Sequence, residues 1–110
     1  MSKLWYHAPR VSDITGLSYR QIEELWMREI IMPIDSVEYN LKRYYFEDLI
    51  LFGITATLID AGFTIVAIMP IIKWIRKKVK IDHFINSNDR LIIDKTGNVV
   101  LRSKDQIRNL

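Results

Sequence analysis

The side chains with chemistry to offer are mostly cations. Lys73, Arg76, Lys77, Lys78 and Lys80 crowd into eight positions, a cluster that can meet phosphates or an anionic membrane surface. The same cluster also fits a solvated helix end, where cations complement the helix dipole. Arg20 falls near the start of an expected helix and points outward, where an arginine can reach guanine or phosphate. Lys42 and Arg43 can each neutralise a phosphate. The acidic pairs Glu23–Glu24 and Glu47–Asp48 are sequence neighbours. Neighbours on a helix point about 100° apart, so neither pair makes a carboxylate dyad by itself. His7 and His83 stand 76 positions apart, too far in sequence to suggest a histidine-rich metal site. With no cysteine, disulfides, thiolate zinc sites and a cysteine nucleophile are excluded. Glycines 16, 53, 62 and 97 are too scattered for a phosphate-cradling loop, and no HExxH occurs. No catalytic residue, metal site or cofactor is expected, and the chain reads as a binding module rather than an enzyme.

At 110 residues, 49% hydrophobic and 26% charged, the chain has the composition of a folded domain, not a disordered one. The net charge of +3 is unevenly spread. Residues 1–48 sum to −2, residues 49–80 to +4 and residues 81–110 to +1. The N-terminal residues carry no apolar run of signal-peptide length. Residues 49–72 are long and apolar enough to test as a membrane span. Asp60, the Asp-Ala-Gly break and Pro70 argue instead for two helices buried against each other. A membrane partner is not expected.

Pro9 suits the first turn of a short helix over residues 9–15, which Gly16 ends. Ser18 and Gln21 have capping-box spacing and open a second helix, carried by Ile22, Leu25, Trp26 and Ile30 and stopped before Pro33. Helix, glycine turn and helix together outline a helix-turn-helix. Alternation of Val37, Tyr39 and Leu41 with polar residues predicts a strand or ribbon over residues 34–45. A third helix runs from Phe46 or Glu47 to about Asp60, with Gly62 at its left-handed exit. Thr64 can cap a fourth helix, which Pro70 either kinks or restarts. The expected core draws on Leu25, Trp26, Leu49, Phe52, Leu58, Phe63 and Ile68. Beyond a polar connector (82–90), residues 91–94 and 99–101 flank a glycine turn as a β-hairpin, and Ser103 with Gln106 begins a short helix.

Several motifs together resemble the MerR family of transcription regulators. Tyr6, Val11 and the run Ile14-Thr15-Gly16-Leu17-Ser18 match its first helix and turn; Gln21-Ile22, Leu25-Trp26 and Pro33 match its second helix. Asn40-Leu41-Lys42-Arg43-Tyr44 and Asp48-Leu49 align with its wing and third-helix opening, and residues 62–68 with a later Gly-Phe-Ser-Leu motif. Departures are Glu23 and Glu24 where the family often carries arginine and a phosphate-touching tyrosine, and Glu29 in place of a glycine. Asp35-Ser36 replaces a basic wing start, and the long coiled-coil dimerisation helix is missing.

The resemblance implies a mainly α fold: a MerR-like winged helix-turn-helix domain over residues 1–80, followed by the C-terminal β-hairpin and short terminal helix of residues 81–110, a candidate dimerisation unit. It implies sequence-specific binding of double-stranded DNA by a homodimeric transcription regulator, with the second helix in the major groove and the wing on the backbone. By position, the DNA-binding residues would be Ser18, Tyr19, Arg20, Lys42, Arg43 and Tyr44. A cytoplasmic, nucleoid-associated protein is expected. The rivals are an architectural or accessory DNA protein, for example in chromosome anchoring or excision, a protein-binding module with a degenerate winged helix, and a single-span membrane protein.

Overall fold

The computed structural model describes residues 4–34, 42–80 and 90–102, which are mainly helical. The chain divides into two compact units, Met1–Ile65 and Val66–Leu110.

In the first unit, α1 (Ala8–Thr15) places Pro9 in its first turn, where a missing N–H costs nothing. Gly16, at φ 80°, takes the left-handed conformation that ends it. α2 (Tyr19–Met27) and α3 (Phe46–Asp60) follow, the latter at the boundaries its sequence predicts. Two short strands, β1 (Trp5–His7) and β2 (Arg43–Tyr45), pair antiparallel with Tyr6 opposite Tyr44. The ribbon and α1 both pack on α3. α3 is apolar almost all round and buries Leu49, Leu51, Phe52 and Leu58. Its buried Thr55 hydroxyl donates to the Leu51 carbonyl at 2.8 Å, which satisfies the polar group this residue brings into the core. Tyr44 meets Phe52 edge to face at 4.9 Å, a geometry worth about 0.5–1.5 kcal/mol beyond area burial. Of the expected core, Leu25, Leu49, Phe52, Leu58 and Ile68 are buried, whereas Trp26 and Phe63 are half-buried.

The apolar run of residues 49–72 is broken as expected: α3 stops at Asp60, Gly62 turns at φ 100°, and the next helix starts at Ile65. Among the described residues, no helix is long and apolar enough to cross a membrane.

The second unit holds α4 (Ile65–Lys78) from Val66 onwards. Pro70 lies inside this single helix, which settles the choice between a kinked and a restarted helix in favour of continuation. Strands β3 (Arg90–Ile93) and β4 (Val99–Arg102) form the expected antiparallel hairpin, pairing Ile92 with Val100. Gly97 (φ 90°) turns the chain against Ile71, whose side chain would lie 3.6 Å from a β-carbon added there. Arg90, expected in the connector, opens β3 instead. The rest of the connector, residues 35–41 of the predicted ribbon and the terminal helix from Ser103 lie outside the described residues.

Candidate nucleic-acid interface

The turn between α1 and α2 is fixed by side chains close in sequence. The Ser12 hydroxyl donates to the Leu17 carbonyl at 2.6 Å, and the Thr15 hydroxyl donates to Val11 at 2.7 Å while accepting the Leu17 amide at 3.2 Å. Leu17 itself is buried, which anchors the turn to the core. At the start of α2 the capping box is complete. Ser18 Oγ accepts the Gln21 amide at 3.1 Å, and Gln21 Oε1 accepts the Ser18 amide at 2.9 Å. Ile22 and Leu25 fasten the helix inward. Tyr19, Arg20, Glu23 and Met27 are left exposed on its outer side.

Of the six residues matched to DNA contacts, three are exposed at the first turn of α2: Ser18, Tyr19 and Arg20. Ser18 Oγ uses one lone pair for the cap and keeps a hydroxyl proton to donate. Arg20 shares a shallow depression with Glu23, Glu24, Met27 and Arg28. Arg28 pairs with Glu24 at 3.0 Å across one helical turn, an exposed contact worth about 0.3–0.5 kcal/mol. Half-buried Arg43 lies with its guanidinium 5.1 Å from the Trp5 ring centre.

Lys42 and Tyr44 depart from expectation. Lys42 is only 6% exposed, and its ammonium sits 3.4 Å over the centre of the Trp26 ring. Its carbonyl accepts the Ala8 amide at 3.0 Å. A cation drawn onto an indole face and shielded from water is a brace between α2 and the residue before β2, not an open phosphate contact. Tyr44 is completely buried against Phe52, so its ring belongs to the core. Both corrections have one cause: the alternation of strand side chains, invisible without the β1 pairing, turns Lys42 and Tyr44 inward and Arg43 outward.

The Ile34 amide donates to the Arg43 carbonyl at 2.7 Å, which brings the two described ends of the intervening segment side by side. Sequence reasoning missed β1 and the Lys42–Trp26 contact. The adjacent aromatics Trp5 and Tyr6 favour a strand, but three residues have no period of their own. Among the described residues, no three of His, Asp and Glu gather as a metal site requires. No family model and no curated protein sequence matches this chain.

Proposed function

We propose that the chain is a winged helix-turn-helix protein of MerR type that binds double-stranded DNA as a homodimer and regulates transcription in the cytoplasm, at the nucleoid. The supporting observation is the locked Gly16 turn, which holds α2 with Ser18, Tyr19 and Arg20 exposed at its first turn. α2 enters the major groove and Arg20 reads a base edge. Arg43 neutralises a phosphate beside it, and Lys42 and Tyr44 position these elements from inside. The hairpin pairs the two subunits through the face that its own unit leaves exposed. Ile92 and Val100, opposite each other and 43% and 41% exposed, supply an apolar face for that contact.

Selection from a pool of random duplexes tests this reading. The expected outcome is an enriched site of two related half-sites about one helical turn apart. Arg20→Ala should relax preference at one position per half-site and cost about 1–3 kcal/mol on the selected site. Failure to enrich any site, or a preference untouched by Arg20→Ala, overturns it. A second reading, a protein-binding module, draws on Met27, 69% exposed beside Glu23 and Glu24. That surface suits a basic, apolar partner better than a phosphate backbone. On that reading no site is enriched, and Met27→Ala weakens capture of the partner.

A further inference from the structure

The two units carry opposite charge. Residues of Met1–Ile65 include six basic and nine acidic side chains, a net −3; those of Val66–Leu110 include ten and four, a net +6. The proposed recognition helix therefore belongs to a unit whose net charge opposes a polyanion. The net positive charge that draws one resides in the other unit.

On α4 the cations are ordered. At 3.6 residues per turn, Lys73, Arg76, Lys77 and Lys80 fall within an arc of about 100°, extending about 10 Å along the axis. The helical bonding reaches past the last turn through Val79, whose amide donates to Ile75 at 2.8 Å. All four of these side chains are exposed, and α4 contains no acidic residue. Ile68, Ile71, Ile72, Ile75 and Val79 lie on the opposite side and are buried. The helix dipole accounts for cations in the last turn only, where its effect is confined. Lys73 lies before that turn and Lys80 after it.

We infer that this basic face of α4 is a docking surface for the phosphate backbone of duplex DNA. The inference rests on the DNA-binding reading above and assigns the sequence-independent part of the affinity to a different element. A duplex offers about one negative charge per 1.7 Å of axis, a continuous match for a stripe of this length. An anionic bilayer is the weaker fit. Stable attachment there needs an apolar insertion beside the basic patch, and the apolar side of α4 is buried within the protein.

The test is anisotropy of a labelled, mixed-sequence duplex titrated with the full chain at several salt concentrations. Wild type is compared with Lys73→Gln/Lys77→Gln/Lys80→Gln, all at exposed positions, with far-UV circular dichroism as the check on folding. The slope of log affinity against log salt should be shallower in the triple variant by about 2.7, at 0.9 per phosphate released. An unchanged slope in a folded variant overturns the inference. Should Arg20→Ala still alter the selected site in that case, the recognition reading survives without it. A slope lost with the lysines but no Arg20-dependent site leaves the α4 surface standing and removes the recognition helix. Binding to vesicles of phosphatidylcholine and phosphatidylserine in a two-to-one ratio, with none to duplex at low salt, overturns both.

Discussion

α2 and α3 end in the same hydrogen-bonded motif built on different residues. After α2, the Glu29 amide donates to Trp26 and the Ile30 amide to Leu25, each at 2.9 Å. After α3, the Gly62 amide donates to Ile59 at 3.0 Å and the Phe63 amide to Leu58 at 2.9 Å. Both are Schellman closures, and both need a left-handed residue in the middle. α3 supplies glycine at φ 100°, whereas α2 supplies Glu29 at φ 57°. A non-glycine residue there costs about 1–2 kcal/mol. The strain is held because Ile30, the following residue, is buried and pulls the chain back to the core. Left-handed geometry is therefore imposed on α2 by tertiary packing, and at α3 it is also favoured locally. The exit of α2 leads towards the segment proposed as the wing, so the first unit carries a strained joint next to its proposed DNA-reading elements.

Making the two ends alike tests this most severely. Gly62→Glu should cost about 2 kcal/mol, because φ 100° lies well outside the narrow left-handed region open to other residues. Among the described residues, no atom other than those of its chain neighbours lies within 4 Å of a β-carbon added there, so the loss is conformational rather than steric. Thermal unfolding should fall by roughly 8–16 °C. An unchanged midpoint would mean that α3 has another way to close.

The same contrast separates what was legible in the sequence from what was not. Gly16, Gly62, the Ser18–Gln21 capping box and the Gly97 hairpin could be read because each signal is complete within a few residues. The end of α2 could not. Apolar spacing carried the expected helix up to the turn before Pro33, yet it stops at Met27, because Glu29, though it stands where the resemblance would put a glycine, has no local preference for the left-handed conformation that ends a helix. Lys42 failed for the complementary reason. A lysine beside an arginine reads as two surface cations, and only the long-range approach of the residue before β2 to α2 puts one of them on Trp26. Among the candidate contacts, Arg20 could be placed because it sits on a helix whose start is written locally. Tyr44 could not, because its burial depends on β1 and α3 together.

The opposite end of α2 gives the next effect in size. Ser18→Ala removes the acceptor for the Gln21 amide and should cost about 1 kcal/mol, typical of a lost N-cap. Ser18→Gly should cost only a few tenths of that unit. Equal losses would show that Ser18 matters through something other than its cap.

Glu29→Gly should act in the other direction. Relief of about 1–2 kcal/mol of left-handed strain is partly offset by the greater freedom of glycine in the unfolded chain, about 0.4–1 kcal/mol. The expected net is a gain of about 0.5–1 kcal/mol, read from denaturant midpoints at unchanged m-value. A loss of stability would mean that the Glu29 side chain makes a contribution larger than its strain. In combination with Gly62→Glu the two effects should add, since no backbone hydrogen bond joins the two ends among the described residues.

The hairpin reverses direction by a third device, in which a carboxylate organises the backbone. Asp94 Oδ1 accepts from the Thr96 hydroxyl at 2.6 Å, the Thr96 amide at 2.8 Å and the Asn98 amide at 3.0 Å. The Thr96 hydroxyl bond, followed by the Asn98 amide, holds this exposed carboxyl below its ordinary pKa. The ionised form is the one the folded turn prefers, so the unfolded chain binds the proton more readily and stability rises with pH. The contribution is fully present above the usual carboxylate range and is lost as pH falls through the depressed value. The Thr96 and Asn98 amide resonances should shift together in that acidic window, by a small amount because the group is open to water. Asp94→Asn, which keeps an acceptor oxygen but cannot ionise, should abolish the titration and retain the turn. Resonances that titrate equally in Asp94→Asn would remove the carboxylate from this role. The left-handed Gly97 (φ 90°) would then hold the reversal by backbone geometry alone, as Gly62 is proposed to do at the end of α3.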